Sequence, residues 1–270
     1  MYPFFEIVKS PETKTAFLYL NRGERRNAMN DDFWFDLPKV IADIEADPEI
    51  RAVVVAGKGK SFSTGLDIED FFKAKAGTVQ TETGDSREAL EKMIAEMQSG
   101  LNAIADADTV FIAAVHRHCI GGGLDLAAAC DLRYCSKDAS FSLREAKVAI
   151  VADMGSLQRL PYIIGQGHTR LMALTGRDFG AEEVDKMGLV NGVYENTEEL
   201  YAATEKLAIE IAANPSMAVR GTKRILNYAL NHHQKDALEH VVLFNTAYLD
   251  SLDLRELGEA WVNKRKPVFQ

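Results

Sequence analysis

Short apolar runs alternate with longer segments of mixed polar and apolar residues along most of this chain. Residues 5–8 and 15–20 read as short strands, and residues 51–56, with three consecutive valines, as a buried strand. Asn30 is placed to cap a helix from Asp31 to about Asp47, where Asp31 and Asp32 suit the positive helix end. Pro38 lies within that span as a potential kink. A glycine-rich turn occupies residues 57–60. Residues 71–86 are polar, carry Gly77 and Gly84, and read as a mobile loop of the kind that is often functional. A helix is expected over residues 87–105 and a strand over 110–115. That strand runs on through His116, Arg117 and His118 into Gly121-Gly-Gly123 and a small-residue helix over 124–129. Another strand follows around 132–135. From about residue 198 the pattern is helical, with a break at Asn214-Pro215. Strands alternating with helices make the class α/β with a helical C-terminal region, and periodicity alone suits a doubly wound sheet equally well.

At 270 residues the chain has room for a sizeable core, in one domain with an appendage or in two small ones. Apolar residues at 47% and charged residues at 26% are ordinary for a globular protein. The net charge of -9 argues against a general nucleic-acid binder, because no basic excess is available to neutralise phosphates. A small anionic ligand held by a few local Lys or Arg side chains is still compatible with it. Cys119, Cys130 and Cys135 fit neither a CxxC pair nor a zinc spacing and suit a reducing compartment, so a cytoplasmic location is expected. No basic leader with a long apolar stretch opens the sequence, and no apolar run reaches the roughly 18 residues of a membrane helix, so neither a signal peptide nor a membrane partner is expected.

Two glycine-bearing segments carry candidate chemistry. Gly121-Gly122-Gly123 follows a strand and opens a helix. It reads either as a tight turn or as an anion site, with free backbone N–H groups at a positive helix end. Leu126 stands where a dinucleotide-binding GxGxxG would need its last glycine, and no Walker lysine follows. Ser61-Phe-Ser-Thr-Gly-Leu-Asp67 also follows a strand, and Gly65 there is able to aim the N–H of Leu66 inward. Together the segments offer two backbone donors, the number an oxyanion hole commonly uses.

At this point the sequence resembles a known family. Phe62-Ser-Thr-Gly-Leu-Asp67 is similar to the first signature of the crotonase (enoyl-CoA hydratase/isomerase) superfamily. Ile112-Ala-Ala-Val115 followed by Cys119-Ile-Gly-Gly-Gly-Leu-Asp-Leu126 is similar to the second. Asn21-Arg-Gly-Glu-Arg-Arg-Asn-Ala28 resembles the family's motif near the CoA adenine, and similarity continues in order to Lys264-Arg-Lys-Pro-Val-Phe269. The resemblance implies a crotonase-like spiral of ββα units (1–197) with a C-terminal helical oligomerisation region (198–270). It also implies an oxyanion hole from the N–H groups of Leu66 and Gly122, aimed at an acyl-CoA thioester. CoA contacts are implied around Arg25, Arg26, Ala28, Lys58, Asp67, Ile68 and Lys264, and a homotrimer or dimer of trimers. Leu243, Phe244, Tyr248 and Leu252 would supply apolar contact surface there, or else intramolecular core. No metal or cofactor is implied, coenzyme A being part of the substrate.

Three acids distinguish members of such a family. Asp125 lies one helical turn after Gly122, where an acid is also simply favourable. Glu145 has the alternative of a solvated surface acid paired with Arg144 or Lys147. Asp153 stands in the apolar stretch Ala149-Ile-Val-Ala-Asp-Met-Gly155, where a carboxylate needs partners or a function. In typical enoyl-CoA hydratases the positions of Asp125 and Glu145 are both Glu, and a Pro-Gly pair replaces Ala152-Asp153. The Asp, Glu and Asp found here, with Ala152-Asp-Met-Gly-Ser-Leu-Gln-Arg-Leu-Pro161, resemble instead the 3,5-dienoyl-CoA to 2,4-dienoyl-CoA isomerases. Moving two double bonds requires proton loss at C2 and gain at C6, which suits Glu145 as base, Asp153 as acid and Asp125 as an assisting charge. The other readings are a 2-enoyl-CoA hydratase of β-oxidation and a non-catalytic acyl-CoA-binding homologue. Arg117 stands where relatives commonly carry a small residue. His116 and His118 lack a third ligand at a metal spacing and read as packing or solvent-contacting residues.

Overall fold

The computed structural model describes residues 2–79 and 83–269. β1 (Phe5–Ser10) and β2 (Thr15–Leu20) form an antiparallel pair. α1 (Asp31–Glu45) follows and runs on through Pro38, with Asn30 accepting the N–H of Phe33. β3 (Ala52–Gly57) pairs parallel with β2 and with β4 (Val110–Val115), which pairs parallel with β6 (Leu132–Ser136). β9 (Val193–Tyr194) completes a six-stranded sheet among the described residues. Leu18, Val55, Ala113 and Arg133 stand in register across it.

The Val-Val-Val run is continuous because both faces of β3 are covered. Val53 and Val55 join a core with Phe33, Leu37 and Ile41 of α1 and Leu101 of α3 (Gly84–Asp106). Ala52, Val54 and Ala56 face Leu200, Ala208 and Ala212 of α7 (Thr197–Ala212). The first helix of the C-terminal region is therefore packed on the main sheet.

A second sheet of β5 (His118–Ile120), β7 (Ser140–Ser142) and β8 (Phe179–Gly180) lies beyond the ends of the first. β4 and β6 share the large sheet, while β5 and β7, which follow them, share the small one. Each pair leads into a helix, α4 (Gly122–Ala129) or α5 (Ser156–Thr175). These successive ββα turns are the spiral that the resemblance implies. Two local expectations change. The strand over 110–120 is broken, because Arg117 adopts φ 56° and hands the chain from one sheet to the other. Much of the expected loop over 71–86 is helical: α2 (Ile68–Val79) and the first turn of α3 occupy it, while 80–82 lie outside the described residues. A Glu69–Lys73 pair one turn apart supports α2, and Thr83 and Ser86 form a reciprocal cap for α3.

After α6 (Ala181–Met187) and α7, the chain ends in α8 (Ser216–Asn231), α9 (Gln234–Tyr248) and α10 (Leu252–Val262). Phe244 packs against Gly221 of α8, whereas Leu243, Tyr248 and Leu252 are exposed. No described helix is long and apolar enough to cross a membrane.

Candidate active site

The segment that leaves β3 is laid between two others. Ser63 N donates to His118 O at 2.8 Å, and Ile120 N to Ser63 O at 3.1 Å, which ties it to β5. On its other side Met29 N donates to Gly65 O at 2.8 Å, and Asp67 N to Met29 O at 2.9 Å. Leu66 is thus fixed at the crossing. Gly65 has φ 79°, and a Cβ there would lie 2.5 Å from Ile120 O and 3.2 Å from Gly122 N, so only glycine fits. Gly122 is the first residue of α4, where the helix itself provides no acceptor for its N–H. Among the described residues, no acceptor is paired with the N–H of Leu66 or of Gly122. The two expected donors therefore lie on adjoining segments, both unspent.

The three expected acids gather beside them. A Cβ on Gly121 would lie 3.1 Å from Glu145 Oε1, which places that carboxylate over the turn preceding Gly122. Glu145 begins a short 3-10 helix after β7, and Arg144 turns away to pair with Asp178. Glu145 Oε2 is buried with no donor among the described residues. Burial, reinforced by the charges of Asp125 and Asp153, pushes the Glu145 carboxyl up to about 7. Asp125, on α4, is 1% exposed, and its Oδ1 accepts the N–H of Ser156 at 2.7 Å. Burial raises it to about 6; Ser156 and Arg159 oppose the rise and Asp153 adds to it. Asp153 is half-buried between the core residues Ala152 and Met154, and burial raises its pKa as well. Asp125 and Glu145 are thus raised toward the range in which proton-transfer groups work, and Asp153 is raised in the same direction.

Two cavities of about 370 Å³ open here. One is lined by Met29, Trp34, Leu66, Phe71 and Met97, with Asp67 and Lys73 at its polar side. The other is mostly apolar and is lined by Leu143, Glu145, Ile150, Ala152, Leu157 and Leu174.

The expected CoA-contact residues other than Lys264 are neighbours: Arg22 bonds both Ala28 O and Asp67, and Asn27 Nδ2 donates to Lys58 O at 3.0 Å. Arg25 and Arg26 lie on the loop after β2, and Arg25 pairs with Asp67 at 3.5 Å and Glu69 at 3.1 Å. Ala28 O accepts from Arg22 Nη1 at 2.8 Å. Lys58 pairs with Glu6, and Ile68 opens α2, half exposed. Asp67 is turned inward: it accepts the N–H of Asp70 at 3.1 Å and pairs with Arg22 at 2.6 Å. Lys264 is exposed just after α10, with φ 52°.

His116 is buried between Gly59 O at 3.2 Å and Tyr201 Oη at 3.2 Å, while His118 Nδ1 meets Ser61 Oγ at 2.9 Å. Both rings serve local hydrogen bonds, and Arg117 points outward toward Asp138. Among the described residues no group of three His, Cys, Asp or Glu is placed to hold a metal ion.

Several site residues escaped the sequence reading. Arg22, Ser156 and Arg159 all lie inside or beside the motifs quoted above. An arginine or hydroxyl within a ligand-proximal motif is the signal that could have singled them out. Gln98, on α3, donates from Nε2 to Asp153 O at 2.5 Å, and nothing in its local sequence marks it.

A family model described as enoyl-CoA hydratase/isomerase matches residues 12–270. A mitochondrial Delta(3,5)-Delta(2,4)-dienoyl-CoA isomerase of Dictyostelium discoideum is 38% identical over 269 residues, covering 100% of this chain and 92% of that protein. A peroxisomal protein of the same name from Arabidopsis thaliana is 37% identical over 270 residues, covering 99% and 97%. The crystal structure of an enoyl-CoA hydratase from Bacillus anthracis matches with a TM-score of 0.88 at 25% identity, covering 98% of each chain.

Proposed function

The chain belongs to the enoyl-CoA hydratase/isomerase family, and we propose that within it the protein converts 3,5-dienoyl-CoA to 2,4-dienoyl-CoA. One observation carries this reading: Asp153 stands close enough to Asp125 and Glu145 for its charge to raise the pKa of both. A reaction that moves two double bonds has work for a second proton-transfer group.

In this reading the thioester oxygen accepts the N–H groups of Leu66 and Gly122. Glu145, ionised, takes a proton from C2, and the electron pair spreads over the dienolate. Each donor aimed at the oxygen lowers the barrier by about 3–4 kcal/mol. Asp153, protonated, gives its proton to C6 as the double bonds settle at 2 and 4. Glu145 ends protonated and Asp153 ionised, and exchange with solvent resets them. Asp125 orients the pair by charge. The atoms balance with no redox agent, metal or added cofactor, since CoA arrives as part of the substrate. The apolar cavity onto which Glu145 opens supports a hydrocarbon-bearing ligand.

We further read residues 1–197 as the acyl-CoA-binding and catalytic spiral and 198–270 as the association region. The exposure of Leu243, Tyr248 and Leu252 supports association between copies, which we read as a homotrimer or a dimer of trimers. The three buried free cysteines support a reducing compartment, in our reading the cytoplasm; the relatives described above carry mitochondrial and peroxisomal names. The activity is tested by offering a panel of acyl-CoA thioesters and following absorbance. Growth of the conjugated 2,4-dienoyl band from 3,5-dienoyl-CoA is expected. A 2-enoyl-CoA hydratase would instead consume 2-enoyl-CoA and leave Asp153 idle.

A further inference from the structure

Asp153 is supported from a helix far from it in sequence. Gln98 is partly buried on α3, and its Nε2 reaches the Asp153 carbonyl at 2.5 Å. One turn further along the same helix, Asn102 Oδ1 accepts from Arg159 Nη2 at 2.6 Å, and Arg159 Nη1 donates to Met154 O at 3.3 Å. Gly155 leaves room for that guanidinium, since a Cβ there would meet Nη1 at 1.9 Å. Two consecutive carbonyls, of Asp153 and Met154, are thus held by one face of α3, directly and through Arg159. The preceding residue on that helix, Met97, lines the cavity beside Leu66. The same helix therefore touches the wall next to the oxyanion donors and the backbone of the distal acid.

The geometry matters because the substrate is pinned at its thioester end. Proton delivery at C6 then depends on the distance from Leu66 and Gly122 to Asp153, and a displacement of about 1 Å can cost about 10²-fold in rate. The segment carrying Asp153 has no regular secondary structure of its own before α5 begins at Ser156. Its position is set by what it is bonded to. We propose that Gln98 is a positioning residue for Asp153, holding the distal acid at the reach that C6 protonation needs. The inference rests on the dienoyl-CoA isomerase reading and adds to it a residue outside the three acids.

The test uses the full-length protein with Gln98→Met, which keeps length and helix propensity but removes the donor. Gln98→Leu serves as a second donor-less variant of similar size, and Gln98→Lys restores a donor. Reactions run in D₂O yield two readouts: formation of 2,4-dienoyl-CoA, and deuterium entering C2 of recovered 3,5-dienoyl-CoA. The first needs Asp153, while the second needs only Glu145 and the oxyanion donors. Gln98→Met and Gln98→Leu are expected to lower product formation by about 10- to 10²-fold. KM and C2 exchange should stay near wild type, and Gln98→Lys should recover part of the loss. Unchanged product formation in both donor-less variants would overturn the inference, as would product and exchange falling together in proportion. Wild-type protein that makes no 2,4-dienoyl-CoA at all would instead sink the functional reading beneath it, a separate and recognisable result.

Discussion

The carboxylate of Asp125, on α4, accepts the first N–H of α5, that of Ser156, at 2.7 Å, and so joins the helix that Gly122 opens to the one that follows Asp153. The bond favours the ionised acid, yet burial outweighs it and the pKa rises from 3.8 to about 6. The folded chain therefore holds this proton more tightly than the unfolded chain does. Its stabilising effect is fully present below about pH 4 and is lost as pH rises through about 6. Asp125→Asn keeps an oxygen for Ser156 and never ionises. It should stabilise the protein by on the order of 3 kcal/mol at pH 8 and by little at pH 4, read from urea melts at both. The charge of Asp125 also raises Glu145. In the same variant the acid limb of kcat/KM, expected near pH 7 for Glu145, should move to lower pH.

Gly65→Ala should be severe for its size. The new Cβ would collide with Ile120 O at 2.5 Å in a backbone conformation that alanine disfavours. Relieving the clash displaces Leu66 from Gly122. With the Leu66 N–H in its proposed role as an oxyanion donor, that displacement predicts a fall in kcat of about 10²- to 10³-fold. Circular dichroism should show the fold retained, with a lower melting temperature.

Arg22→Ala should cost stability more than its surface-loop position suggests. Asp67 is only 4% exposed and would lose its nearer arginine, at 2.6 Å, while keeping Arg25 at 3.5 Å and the Asp70 N–H, a loss of about 1–3 kcal/mol. Burial opposes ionisation of Asp67, but Arg22, the Asp70 N–H and Arg25 prevail and hold its pKa below the usual carboxylate value. The stability from this group is thus present at neutral pH and lost as pH falls through the depressed pKa. The gap between wild type and variant should be wide at pH 7 and shrink as pH falls below the ordinary carboxylate pKa, by denaturant titration at each pH.

Free CoA should bind, and bind more weakly as salt is raised, because exposed charges more than about 8 Å apart are screened at physiological ionic strength. Arg26, exposed on the loop after β2 with φ 53°, is the basic residue to change. Arg26→Ala should weaken CoA severalfold by calorimetry at low salt and matter little at high salt.

Much of this site was legible in the sequence because its parts are local. Gly65 and Gly121-Gly122-Gly123 follow apolar strands, so their turns could be placed from order alone, while Gly122 as a donor came from the family resemblance. Asp153 stood out as a charge in an apolar stretch. What stayed hidden depends on chain crossings. Arg22 acquires its importance from Asp67, and Gln98 from Asp153, partners no local pattern connects. The segment over 71–86 misled because Gly77 and polarity argue for a loop, whereas a Glu69–Lys73 pair and packing beside α3 favour a helix through Val79. Phe244 and Leu243 are neighbours with opposite fates, one packed on Gly221 and one exposed, a difference set by where α8 lies.

The most direct measurement compares wild type with Asp153→Asn on 3,5-dienoyl-CoA, following the conjugated 2,4-dienoyl absorbance. Wild type should convert it. Asp153→Asn should bind it with similar affinity but turn over about 10²- to 10⁴-fold more slowly, since the amide keeps the size and cannot exchange the proton. A wild-type protein that rapidly hydrates 2-enoyl-CoA and ignores 3,5-dienoyl-CoA, with Asp153→Asn hydrating equally well, would contradict the account.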